Sequence, residues 1–94
     1  MHFMIHCLDK PDHLAHRMEH RPAHLKHLEG YAKELMLAGP LLTDDGQTMI
    51  GSLFIAEFPS RQEAEAFVAN DPYRKAGVFG SVTITPWRKT LPKS

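Results

Sequence analysis

Met49-Ile50-Gly51-Ser52-Leu53-Phe54-Ile55-Ala56-Glu57-Phe58 is the strongest strand-like stretch of this chain, and its two faces decide the fold. Alternate residues of a strand share a face. One face here carries Ile50, Ser52, Phe54, Ala56 and Phe58, and the other carries Met49, Gly51, Leu53 and Ile55. A strand apolar on both sides must be covered on both sides. A chain of 94 residues builds one small core and one helical layer. The second cover is therefore expected from a partner subunit, through sheet-against-sheet contact in a homodimer.

Working outward, Asp45-Gly46 is a hairpin-closing dipeptide that joins this strand to a short one at Leu41-Leu42-Thr43. Upstream, Leu25, Leu28, Ala32 and Leu35 repeat at 3-4-3 spacing, which predicts an amphipathic helix. Pro22 suits its first position and Gly39-Pro40 its stop. The residue before a proline is biased away from helix, so a break is expected near Arg21, with only a short helical turn across His13–His20. Phe3–Leu8 reads as the first strand, followed by a turn at Asp9–Asp12. Downstream, Ser60 and Glu63 form a capping box for a helix that turns Ala64, Phe67 and Val68 inward. Asp71 caps a second, short helix that begins at Pro72 and ends at Gly77, and Val78–Trp87 is the last strand. The order β-α-β-β-α-(short α)-β is the α+β ferredoxin-like split βαβ arrangement, with helices on one face of an antiparallel sheet. One domain over residues 1–94 is expected.

Composition narrows the function. Eleven basic and eleven acidic side chains cancel, which argues against a nucleic-acid footprint and gives no attraction to a membrane. A single cysteine, Cys7, cannot form an internal disulfide and fits a cytoplasmic address. Met1–Leu8 lacks the features of a signal peptide, and no run reaches transmembrane length. Cys7 lies mid-strand among apolar neighbours, where core filling is the default.

Several segments carry a family resemblance. These are Arg21-Pro22-Ala23-His24-Leu25, Ala38-Gly39-Pro40, Gly51-Ser52 with Ile55-Ala56-Glu57-Phe58, Asp71-Pro72-Tyr73 with Ala76-Gly77-Val78, and Pro86-Trp87. Spread in order over nearly the whole chain, they resemble the YCII, or YciI-like, family. The resemblance implies a dimeric α+β barrel of ferredoxin-like subunits and an active site that pairs a histidine with an aspartate, here His24 and Asp71. The family includes an enzyme that removes chloride from a chlorinated hydroxymuconate, but fold-level likeness does not transfer a substrate.

On this reading His24 is a general base held in one tautomer by Asp71. Asp71 has a second role open to it, as helix N-cap. Arg21 is positioned to bind a substrate carboxylate, while Ser52 and Tyr73 are further substrate contacts. The expected chemistry is cofactor-free elimination or isomerisation of a small anionic metabolite. A non-catalytic dimeric module binding a small ligand in the same cleft is the alternative. Metal binding is a third reading, because all seven histidines lie in the first 27 residues and His16, His20 and His24 stand at i, i+4 and i+8. A helix beginning at Pro22 would separate His24 from the others, so no metal site is expected.

Overall fold

The computed structural model describes residues 1–93, with the elements β1 (His2–Asp9), α1 (Leu14–Glu29), β2 (Leu35–Leu42), β3 (Met49–Glu57), α2 (Arg61–Ala69), α3 (Pro72–Lys75) and β4 (Phe79–Trp87). The four strands form one sheet in the order β2-β3-β1-β4, and every neighbouring pair is antiparallel. Thus β1 and β2 run the same way with β3 between them, and β3 and β4 run the same way with β1 between them. This is the ferredoxin-like split βαβ arrangement expected from the element order.

Phe3, Ile5 and Cys7 of β1 lie opposite Ala56, Phe54 and Ser52 of β3, and all six side chains are buried. Phe67 of α2 closes the layer above them, edge-on to Phe54 at 5.3 Å. The outer face of the same strands carries Met4, His6 and Leu8 opposite Ile55, Leu53 and Gly51. Gly51 is required there: a Cβ would lie 2.3 Å from the Cys7 carbonyl oxygen and 2.9 Å from Leu41 Cδ1. Both N-caps form, the Ser60–Glu63 box through its serine half. Ser60 Oγ accepts from the Glu63 N–H at 3.3 Å, and Asp71 caps α3 with Pro72 in its first turn.

The first helix differs from expectation at both ends. It does not break near Arg21; α1 starts at Leu14 and runs straight through Pro22. A mid-helix proline removes one backbone bond and strains the preceding turn, at a cost of about 3 kcal/mol. Pro22 and Met18, whose carbonyl it frees, both face solvent, while Arg17 and His24 on either side are buried. Tertiary anchors therefore hold together a helix that local preference would interrupt. At the other end α1 stops at Gly30, not at Gly39-Pro40. Leu35 belongs to β2, which extends over Leu35–Leu42 where only Leu41–Thr43 was expected. Pro40 is tolerated because β2 lies at the sheet edge, where a missing N–H leaves no neighbour unpaired.

The inner stripe of α1 differs too. Leu25 is exposed, and the residues turned toward the sheet are Arg17, Arg21, His24 and Leu28, a 4-3-4 spacing of mostly polar groups. No helix of the described residues is long and apolar enough to cross a membrane.

Candidate active site

His24 sits past the midpoint of α1, and Asp71 is the N-cap of α3. The fold brings them together across 47 residues: His24 Nδ1 lies 2.9 Å from Asp71 Oδ1 and 3.0 Å from Oδ2. Both groups are buried, at 5% and 1% exposure. A carboxylate only accepts, so the contact assigns the proton to Nδ1 and leaves the lone pair on Nε2. Asp71 Oδ1 also accepts the Tyr73 N–H at 2.9 Å, so this carboxylate caps α3 and meets the imidazole at once.

A cleft of about 150 Å³ opens beside the imidazole, lined among others by Arg17, Arg21, His24, Leu28, Pro40 and Ser52. His24 lines this cleft and Asp71 does not; the Asp71 carboxylate occupies Nδ1, which leaves Nε2 as the imidazole nitrogen not engaged by it. Of the three expected substrate contacts, Arg21 and Ser52 reach the cleft. Arg21 Nη1 touches Met49 Sδ at 2.7 Å and has no carboxylate partner among the described residues.

Tyr73 does not line the cleft. Its ring is fully buried, stacked on His24 with centroids 3.9 Å apart, and the Arg17 guanidinium carbon lies 4.5 Å from its centroid on the ring's face. Its hydroxyl has no hydrogen-bond partner among the described residues, and burial pushes the phenol above its ordinary pKa, so it remains a neutral wall behind the imidazole.

Arg17 and its partner Asp9 escaped the sequence reading. Arg17, 1% exposed, donates from Nη1 to both oxygens of Asp9, at 2.9 and 3.0 Å, and from Nη2 to Ser52 Oγ at 2.8 Å. Burial pushes the Asp9 carboxyl above its ordinary value, against the pull of the Arg17 guanidinium. Ser52 Oγ accepts from Arg17, which leaves its own O–H free to donate into the cleft. The signal that would have found Arg17 is helical spacing: it lies seven residues, two turns, before His24 and four before Arg21. Cys7 stays outside the chemistry, because burial, with the Asp71 and Asp9 carboxylates behind it, pushes its thiol up to about 12. At neutral pH it is a protonated core group.

The model of the YCII-related domain matches residues 1–88. The chain belongs to the YCII family. The YciI protein of Escherichia coli is similar to it, at 38% identity over 97% of this chain and all of that protein. So is an uncharacterized protein of Haemophilus influenzae, at 34% identity over the same shares. Among solved structures, the 5-chloro-2-hydroxyhydroquinone dehydrochlorinase TftG of Burkholderia phenoliruptrix, complexed with 2,5-dihydroxybenzoquinone, superposes with a TM-score of 0.87. Its sequence identity is 36%, over 94% of each chain. Protein Atu4242 of Agrobacterium tumefaciens superposes at a TM-score of 0.52 with 12% identity, a likeness of fold alone. This YCII chain thus has the fold class of the dimeric α+β barrels.

Proposed function

We propose that this YCII-family protein is an acid–base enzyme acting on a small, anionic, hydroxylated metabolite. His24 is its base and Asp71 the residue that orients that base. The observation carrying the proposal is the buried Nδ1–carboxylate contact, which leaves Nε2 as a basic nitrogen at a cleft wall. His24 Nε2 removes a substrate proton. The electron pair left behind forms a new π bond, and a leaving group departs with its own bonding pair, or the pair is reprotonated elsewhere to give an isomer. The imidazolium that forms is balanced by Asp71 until it releases its proton. Arg21, which has no carboxylate partner among the described residues, binds the substrate's anionic oxygen, and the Ser52 hydroxyl donates to a second one. Arg17 is a positioning residue: its charge is committed to Asp9, and it fixes Ser52.

The structural likeness to a dehydrochlorinase supports testing 5-chloro-2-hydroxyhydroquinone first. Chloride release by the wild-type protein and its loss in His24→Ala are the expected results. Equal release by the two would overturn the role given to His24. Binding of 2,5-dihydroxybenzoquinone without turnover of a panel of hydroxylated, chlorinated rings would favour a ligand-binding module instead.

The protein working as a homodimer is part of the same proposal. The outer sheet face presents Leu37 at 65% exposure, beside Leu41, Leu53 and Ile55, in an apolar depression of about 270 Å³. On the β4 side of the same face lie Ser81, Thr83 and Thr85. The apolar half, over β2 and β3, is what a second sheet would cover. Analytical ultracentrifugation should give a dimer for the wild type and a monomer for Leu37→Asp combined with Leu53→Arg. A wild-type monomer at micromolar concentration would remove this part of the proposal.

A further inference from the structure

The first two turns of α1, before Pro22, carry a second cluster of polar side chains. His16, Glu19 and His20, at i, i+3 and i+4, share one face of it. One potential ligand atom from each gathers within 4.8 Å of the others. His16 Nδ1 lies 3.6 Å from Glu19 Oε2, and His20 Nε2 lies 3.9 Å from the same oxygen. Tetrahedral zinc, with bonds of about 2.0–2.1 Å to nitrogen and oxygen, holds its ligands roughly 3.4 Å apart. Small side-chain adjustments on an open surface separate the two geometries.

A surface His–Glu–His trio can be no more than a solvated charge cluster. What distinguishes this one is the second nitrogen of His16. His16 Nε2–H donates to the Ala76 carbonyl at 2.6 Å, which fixes the ring's tautomer and leaves the Nδ1 lone pair on the Glu19 side. A ligating histidine whose other N–H is held by a backbone carbonyl is the usual outer-shell arrangement of a zinc site. The His16 and His20 rings stand edge-on, 4.8 Å apart, and both are half-buried, so less rotamer freedom has to be lost on binding. None of the three residues lines the cleft beside His24.

We infer that His16, Glu19 and His20 form a binding site for one divalent zinc-type ion. Two imidazoles and one carboxylate select a borderline ion over calcium or magnesium, which favour all-oxygen sites. Three protein ligands leave a fourth position to water. Because His16 also holds Ala76, the C-cap of α3, a bound ion would lock α1 against the short helix that begins beside Asp71. The site would then be structural, bracing the dyad from outside without touching it.

The test uses full-length protein made without an affinity tag, stripped with chelator and titrated calorimetrically with zinc, then with cobalt for its absorption spectrum. One ion per chain is expected, with a tetrahedral cobalt spectrum. Glu19→Gln and His20→Ala should each weaken binding by about tenfold or more. His2→Ala, at the far end of β1, should leave it unchanged. Zinc should raise the melting temperature of the wild type and not that of Glu19→Gln, which reads folding and binding in one scan. Absence of binding, or equal affinity in the wild type, Glu19→Gln and His20→Ala, would overturn the site.

Discussion

Arg17→Met is expected to destabilise the protein by about 3–5 kcal/mol, the usual cost of leaving one member of a buried ion pair alone. The Asp9 side chain is only 6% exposed, and its two oxygens have Arg17 as their side-chain partner. Methionine would fill the space over Tyr73, so the loss would be one of charge and hydrogen bonds more than of volume. For a domain of this size the melting temperature should fall by roughly 12–40 °C. Removing both charges, in Arg17→Met with Asp9→Leu, should recover most of that loss, because no unpaired ion then remains buried. The pH dependence has a definite sign. Burial already raises the Asp9 pKa from 3.8, and Arg17 is the chief influence lowering it. Without Arg17 the folded state binds the Asp9 proton more tightly still, so the gap between variant and wild type should narrow as pH falls toward 4. Urea titrations at several pH values measure this. A loss below about 1 kcal/mol, the range of an exposed pair, would mean that the contact does not anchor α1 to the sheet.

The same pair shows where a sequence is readable and where it is not. The two-sided pattern of β3, the Asp45-Gly46 turn and the caps at Ser60 and Asp71 act through near neighbours, and all of them are legible as local chemistry. Pro22 is legible in the same way, and there the local reading misleads. Its preference to interrupt a helix is weaker than the combined hold of Arg17 on Asp9 and Ser52 and of His24 on Asp71, and Ser52 and Asp71 lie 35 and 47 residues away in sequence. Arg17 itself was hidden because an amphipathic stripe is sought among leucines. The stripe that faces this sheet reads Arg17, Arg21, His24 and Leu28, and its polar members can be buried because β1, β3 and α3 bring partners to meet them. Gly39-Pro40 misleads for a related reason: as a helix stop it is plausible, but an edge strand accommodates it equally well. His24 and Asp71 could be named in advance only through family resemblance, since nothing in their own neighbourhoods points from one to the other.

Asp71→Asn separates the two roles of that carboxylate, and its expected result is a fold kept and a reaction lost. Asparagine caps helices about as well as aspartate, so the Tyr73 N–H should keep its acceptor and α3 its first turn. The change in stability should stay within about 1 kcal/mol. The charge beside His24, however, disappears. A neutral amide stabilises the imidazolium far less, and turning its NH₂ toward Nδ1 would favour the opposite tautomer, placing the ring proton on Nε2 where the lone pair is needed. Turnover should fall by about 10²–10⁴-fold, the range of a positioned acid–base group. Nitrogen-15 spectra of the His24 ring provide a readout that a purely structural role would not move. They should show the Nδ1–H tautomer in the wild type and its loss in the variant. Asp71→Ala should add to the same kinetic defect a further cost of about 1 kcal/mol for the missing cap. If Asp71→Asn instead matched the wild type in turnover and kept the Nδ1–H tautomer, Asp71 would be a helix cap that lies beside a histidine, and the base would have to be sought elsewhere along the cleft.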